Sequence, residues 1–105
     1  MSQPPASPFR GEASLPLAGS PRLLRPSFAA LIAAEEELGP LFALVERAGA
    51  GQLKLAEMVA LFWHCLADRR GVSRDDIGNA VTAQGLAGCT APLRAVLGQI
   101  LQGSE

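Results

Sequence analysis

Three groups of residues have the side chains for chemistry: the run Glu35-Glu36-Glu37, the pair His64-Cys65, and the arginines at 69, 70 and 74. Neighbouring carboxylates could serve acid/base or divalent-metal chemistry. On a helix, however, consecutive residues fan out by roughly 100° each and cannot converge on one atom. His64 and Cys65 fail for the same reason, and one further Cys and no second His remain to complete four zinc ligands. On the helical wheel His64 falls on the polar side with Glu57 and Asp68, which predicts a solvated imidazole. Cys65 falls on the apolar side, which predicts a buried structural thiol. Arg69, Arg70 and Arg74 read as a favourable charge at a helix C-terminus rather than a phosphate site, and Asp75 and Asp76 cancel them. The glycines are scattered, none following a strand at phosphate-loop spacing, and the single His has no Ser partner of special context. The residues therefore predict no catalytic group, no cofactor and no metal, and an enzyme is not expected.

Glu35 is the acid whose position needs an explanation. Ser27 offers an N-cap oxygen to a helix that Gly39 and Pro40 stop. On that helix Phe28, Leu31, Ile32 and Leu38 form the apolar stripe, and Glu35 falls inside it, beside Phe28 and Ile32 rather than opposite them. Taken as the core face, the stripe turns Glu35 inward. Three acids in the last turn also oppose the helix dipole, by about 0.3–1 kcal/mol each. Glu35 is thus predicted to pair with Arg22, Arg25 or Arg94, or else to be an interface carboxylate, with Glu36 and Glu37 outside.

The elements that position these residues predict a mainly α fold: an N-terminal β-hairpin followed by a compact bundle of about five short helices. Residues 1–9 are Pro-rich and without periodicity, and are expected to be a disordered tail; residues 10–103 form a single domain. Ala13, Leu15 and Leu17 alternate, a turn follows, and the return strand carries Leu23-Leu24, giving a hairpin over about 11–25. Pro16 cannot donate to a ladder and confines its strand to an edge. Helices are expected at about 27–38, 40–48, 53–70, 74–84 and 90–102. Pro40 suits the first turn of the second, and Ser73 with Asp76 resembles a capping box for the fourth. Thr90 can cap the fifth, and the wide apolar arc of the third makes it central.

The 105 residues are 49% hydrophobic but only 5% aromatic, so the core must be built mainly of Leu, Ala and Val. Nine basic against ten acidic residues leave a net charge of −1, which supplies no general pull toward phosphate backbones. Nucleic acid is not expected as a partner. No apolar run approaches the roughly 18 residues of a membrane span, so no membrane partner is expected either. Two cysteines in apolar surroundings and no leader-like N-terminus point to a reducing cytoplasm.

The order Gly11-Glu12, Leu15/Leu17, Gly19, then Leu24-Arg25-Pro26-Ser27-Phe28-Ala29-Ala30-Leu31 and Glu36/Glu37-Leu38-Gly39 resembles the small tail proteins of gene transfer agent clusters and related prophages. The similarity continues through Leu53 to Leu66 and the helix from Ser73 to Gly85-Leu86, and covers roughly Gly11 to Leu101. The resemblance implies a non-enzymatic protein of tail morphogenesis, of a kind labelled phage tail tube protein and similar to tail assembly chaperones. It implies the tape-measure or tail tube protein as partners. Candidate contact residues are Glu35, Glu36, Glu37, Leu41, Phe42 and Trp63, and self-association stays open. The alternatives are a structural tube subunit of the particle, which would be virion-associated, and a helix-turn-helix regulator built on Ser73 to Leu101. The net charge and the scarcity of base-reading side chains on the fifth helix oppose the regulator.

Overall fold

The computed structural model describes residues 13–17 and 20–102. The expected tail at 1–9 and the residues joining the hairpin strands lie outside that set. Strands β1 (Ala13–Leu17) and β2 (Ser20–Leu24) form an antiparallel pair in which Leu15 faces Arg22 and Pro16 faces Pro21. Five α-helices follow among the described residues: α1 (Phe28–Leu38), α2 (Leu41–Gly49), α3 (Leu55–Cys65), α4 (Arg74–Gln84) and α5 (Thr90–Gln102). The expected mainly α fold with an N-terminal hairpin is therefore the observed one.

Local signals account for most boundaries. The Ser27 hydroxyl accepts from Ala30 N–H at 3.2 Å to open α1, and Gly39, at φ 87°, closes it by donating to the Glu35 carbonyl. Ser73 and Asp76 form the reciprocal capping box of α4 at 3.2 and 2.9 Å. At α3 only half of such a box exists. The Glu57 carboxylate accepts from Lys54 N–H at 2.9 Å, while an ammonium has no acceptor to return.

Two boundaries differ from the sequence reading. Helix α3 ends at Cys65, not near residue 70, because Leu66 takes an extended backbone (φ −60°, ψ 126°) and bridges to Leu24. Arg25 N–H donates to the Cys65 carbonyl at 2.6 Å and Ala67 N–H to the Leu23 carbonyl at 3.0 Å. The hairpin's second edge is used by the chain itself at the exit of α3. Thr90 is not a cap: its φ −61° and ψ −44° are helical, so the 3₁₀ turn Ala87–Cys89 runs directly into α5.

The core draws on every element. Leu15 and Leu24 of the hairpin, Leu44 of α2, and Leu61 and Phe62 of α3 are fully buried. Ile77, Val81 and Val96 close it from α4 and α5. Helix α3 lies centrally, packed between α1 and α4, while β1 packs on α4 and α5. Leu55, at the first turn of α3, is half exposed despite the wide apolar arc of that helix.

Candidate functional site

Helix α1 does not bury the face that its apolar stripe suggests. Its inward residues are Ala34, fully buried, with Leu31 and Leu38 partly buried against the core. On the wheel these three centre about 90° away from Phe28, so the arc holding Phe28, Glu35 and Ile32 turns to solvent. Phe28 is 81% exposed and Ile32 42%. Ala34 is the one fully buried residue of α1, and a side chain that small leaves room for a neighbouring helix to come close.

The prediction that Glu35 points inward to an arginine is therefore corrected. Glu35 is exposed, and its Oε2 accepts from Leu41 N–H at 3.1 Å. Pro40 at the N-cap position of α2 has no side chain that can accept, and the Glu35 carboxylate takes that role at the positive end of the helix dipole. The acid that looked unfavourable at the end of α1 is favourable at the start of α2. The same contact ties the last turn of α1 to the first turn of α2 across Gly39-Pro40. Leu41 is partly buried against the core, whereas Phe42 is 79% exposed.

Glu37, on the opposite side of α1, forms a separate cluster. Its carboxylate receives Arg74 Nη1 at 2.6 Å and Nη2 at 2.8 Å, a bidentate pair, and His64 Nε2 at 2.8 Å. An ionised carboxylate only accepts, so Nε2 carries the proton in this contact. Arg74 and His64 together hold the Glu37 carboxyl down at about 2. The guanidinium carbons of Arg69 and Arg74 lie 5.2 and 5.9 Å from the Trp63 ring centroid. Trp63 is thus partly buried under cations rather than presented as an open aromatic. His64, expected in solvent, has a side chain only 11% exposed, and its Nδ1 is buried without a hydrogen-bond partner.

The six residues singled out from the sequence divide into two groups. Glu35, Leu41 and Phe42 meet at the α1–α2 corner. Glu37 and Trp63 belong to the Arg74 cluster joining α1, α3 and α4, and Glu36 stays exposed. Sequence reasoning missed Phe28 and Ile32 as surface residues and His64 and Arg74 as partners of Glu37. For the first pair the signal was Ala34, the small residue on the opposite arc; for the second no local pattern exists, because the contacts span 27 and 37 residues. The basic cluster dissolves likewise: Arg70 pairs with Asp68 at 2.8 Å, while Arg69 and Arg74 cover Trp63.

No group of three or more His, Cys, Asp or Glu stands close enough to hold a metal among the described residues. Both thiols are buried, and desolvation pushes Cys65 up to about 12, so its thiolate is not available as a nucleophile. No helix among the described residues is long and apolar enough to cross a membrane. What the arrangement offers is contact: exposed aromatic and aliphatic side chains on a braced helical corner.

Neither the curated proteins nor the solved structures give a match. A family model described as phage tail tube protein, GTA-gp10, matches residues 10–103, nearly the whole chain and every described element. The chain belongs to this family of phage tail proteins.

Proposed function

We propose that this protein is a non-enzymatic tail assembly chaperone that binds the tape-measure or tail tube protein in the bacterial cytoplasm and is absent from the finished particle. The observation that carries the reading is the poverty of sheet among the described residues. Two strands of five residues each form the hairpin, and the outer side of β2 is taken up by Leu66. A ring-forming tube subunit is built on extensive β-sheet that continues between neighbours, whereas a helical body with exposed Phe28 and Phe42 suits transient holding of another chain. Mass spectrometry of purified particles tests it: the protein should be missing from particles and should co-purify with a tail protein from producing cells.

The second reading, a structural subunit of the tube, draws its support from the description of the family itself. Stoichiometric recovery of the chain in particles would establish it and remove the first.

A further inference from the structure

We infer that the outward strip formed by Phe28, Ile32 and Phe42, rimmed by Glu35, Glu36 and Glu46, is the docking surface for an amphipathic helix of a partner protein whose apolar stripe is flanked by lysine or arginine. This rests on the reading that the chain holds another protein, and adds where and by what chemistry.

Phe28 and Ile32 are one turn apart on α1 and project to the same side. Glu35, one turn further on, is tied to Leu41 N–H, which joins this end of α1 to the first turn of α2, where Phe42 is exposed. Two phenylalanines at 81% and 79% exposure and Ile32 at 42% leave three large apolar side chains in solvent on two helices joined across Gly39-Pro40. The α1 part, from Phe28 to Glu35, is about 10 Å long at ~1.5 Å per residue, two turns of helix.

The strip's own backbone decides the form of the occupant. Both elements under it are helices, which present no row of unpaired main-chain groups along their length, so an extended segment would find no ladder and would bury unpaired amides. A helix brings its main chain satisfied and needs only side-chain contacts. Charge decides its flanks. Glu35, Glu36 and Glu46 are all exposed, and Glu36 and Glu46 form no ion pair among the described residues, whereas Glu37 on the other side of α1 is neutralised by Arg74. The rim is therefore acidic and uncompensated, which attracts a basic flank and opposes a second copy, whose equivalent strip carries the same three glutamates. Residues 1–12 of the chain itself contain one aromatic, Phe9, and three prolines, too little apolar surface and too poor a helix former to match three anchors.

The test uses the full chain and two synthetic 18-residue helices with the same leucine stripe, one flanked by lysine and one by glutamate. The lysine peptide should bind in calorimetry or fluorescence anisotropy and weaken with salt. Phe28→Ser/Phe42→Ser and Glu36→Gln/Glu46→Gln should each weaken it about tenfold or more while the circular dichroism melt stays unchanged. Equal binding of the glutamate peptide, no binding of the lysine peptide, or indifference to the serine variant would overturn the inference. So would loss of self-association in Phe28→Ser/Phe42→Ser on sedimentation, which would give the strip to a second copy. A tenfold gain in peptide affinity in Phe9→Ser would give it to the chain's own N-terminal segment. If the protein still co-purifies with a tail protein after Phe28→Ser/Phe42→Ser, the docking surface fails but the proposed function stands; if the unaltered protein co-purifies with none, the function fails first.

Discussion

At the scale of residues, three adjacent glutamates have three different tasks, set by where the helix turns each of them. Glu35 caps α2, Glu36 remains on the surface, and Glu37 binds α1 to α3 and α4 through His64 and Arg74. Glutamine can still accept from Leu41 N–H, so Glu35→Gln should leave stability nearly unchanged, whereas Glu35→Ala should cost about 1 kcal/mol, the usual loss of a cap. Urea denaturation of the two variants separates them. Glu37 behaves differently because its charge matters. Its carboxyl is lowered from 4.5 to about 2 in the folded protein, so ionised Glu37 stabilises the fold above the unfolded value, and that contribution disappears as pH falls from about 4.5 to 2. Glu37→Gln should therefore lower the melting temperature at pH 6 to 7, and the gap to the unaltered protein should close toward pH 2. Because the Glu37 side chain is 38% exposed, solvent screening limits the effect to about 1 kcal/mol or less. A melting-temperature series from pH 2 to 7 in which the gap is constant would contradict the assignment.

At the scale of elements, the hairpin shows how two prolines can face each other in a two-stranded sheet. The Leu23 carbonyl and Arg25 N–H both point outward from β2, toward the segment at Leu66. Backbone direction repeats every second residue, so Pro21 also faces outward, and so does Pro16 opposite it on β1. Neither missing N–H belongs to the ladder; both belong to the outer edges, where they remove a donor that another strand could use. Pro16→Val restores that donor on β1 and should promote concentration-dependent association, visible by sedimentation velocity; a variant as monodisperse as the parent would show the edge to be protected by something else. The hairpin, the Ser27 and Ser73 caps and the Gly39 stop were legible in sequence because each depends on contacts within a few residues. The exit of α3 was not, since what ends the helix at Cys65 is pairing with Leu23 to Arg25, some forty residues earlier in the chain. The orientation of α1 was misjudged for a related reason: periodicity identifies an apolar arc, but which arc faces in depends on how closely a neighbouring helix must approach, and here it is the arc of Ala34.

At the scale of the whole molecule, the core and the proposed docking surface draw on different residues, which makes stability and binding separable. Leu61 and Phe62 of α3 are fully buried at the junction of hairpin and helices, while Phe28 and Phe42 lie mostly in solvent. Truncating a buried phenylalanine removes its transfer energy and leaves a cavity, at about 3–5 kcal/mol, against a total stability of roughly 5–15 kcal/mol for a domain. Exposed positions away from caps and pairs usually change stability by less than about 0.5 kcal/mol. Phe62→Ala should therefore shift the urea midpoint far downward or leave the protein unfolded, whereas Phe28→Ser/Phe42→Ser should unfold at the parent's midpoint and with the parent's slope. A large destabilisation of the serine variant would mean that the two rings support the fold in solution, and their exposure would then cease to argue for a partner.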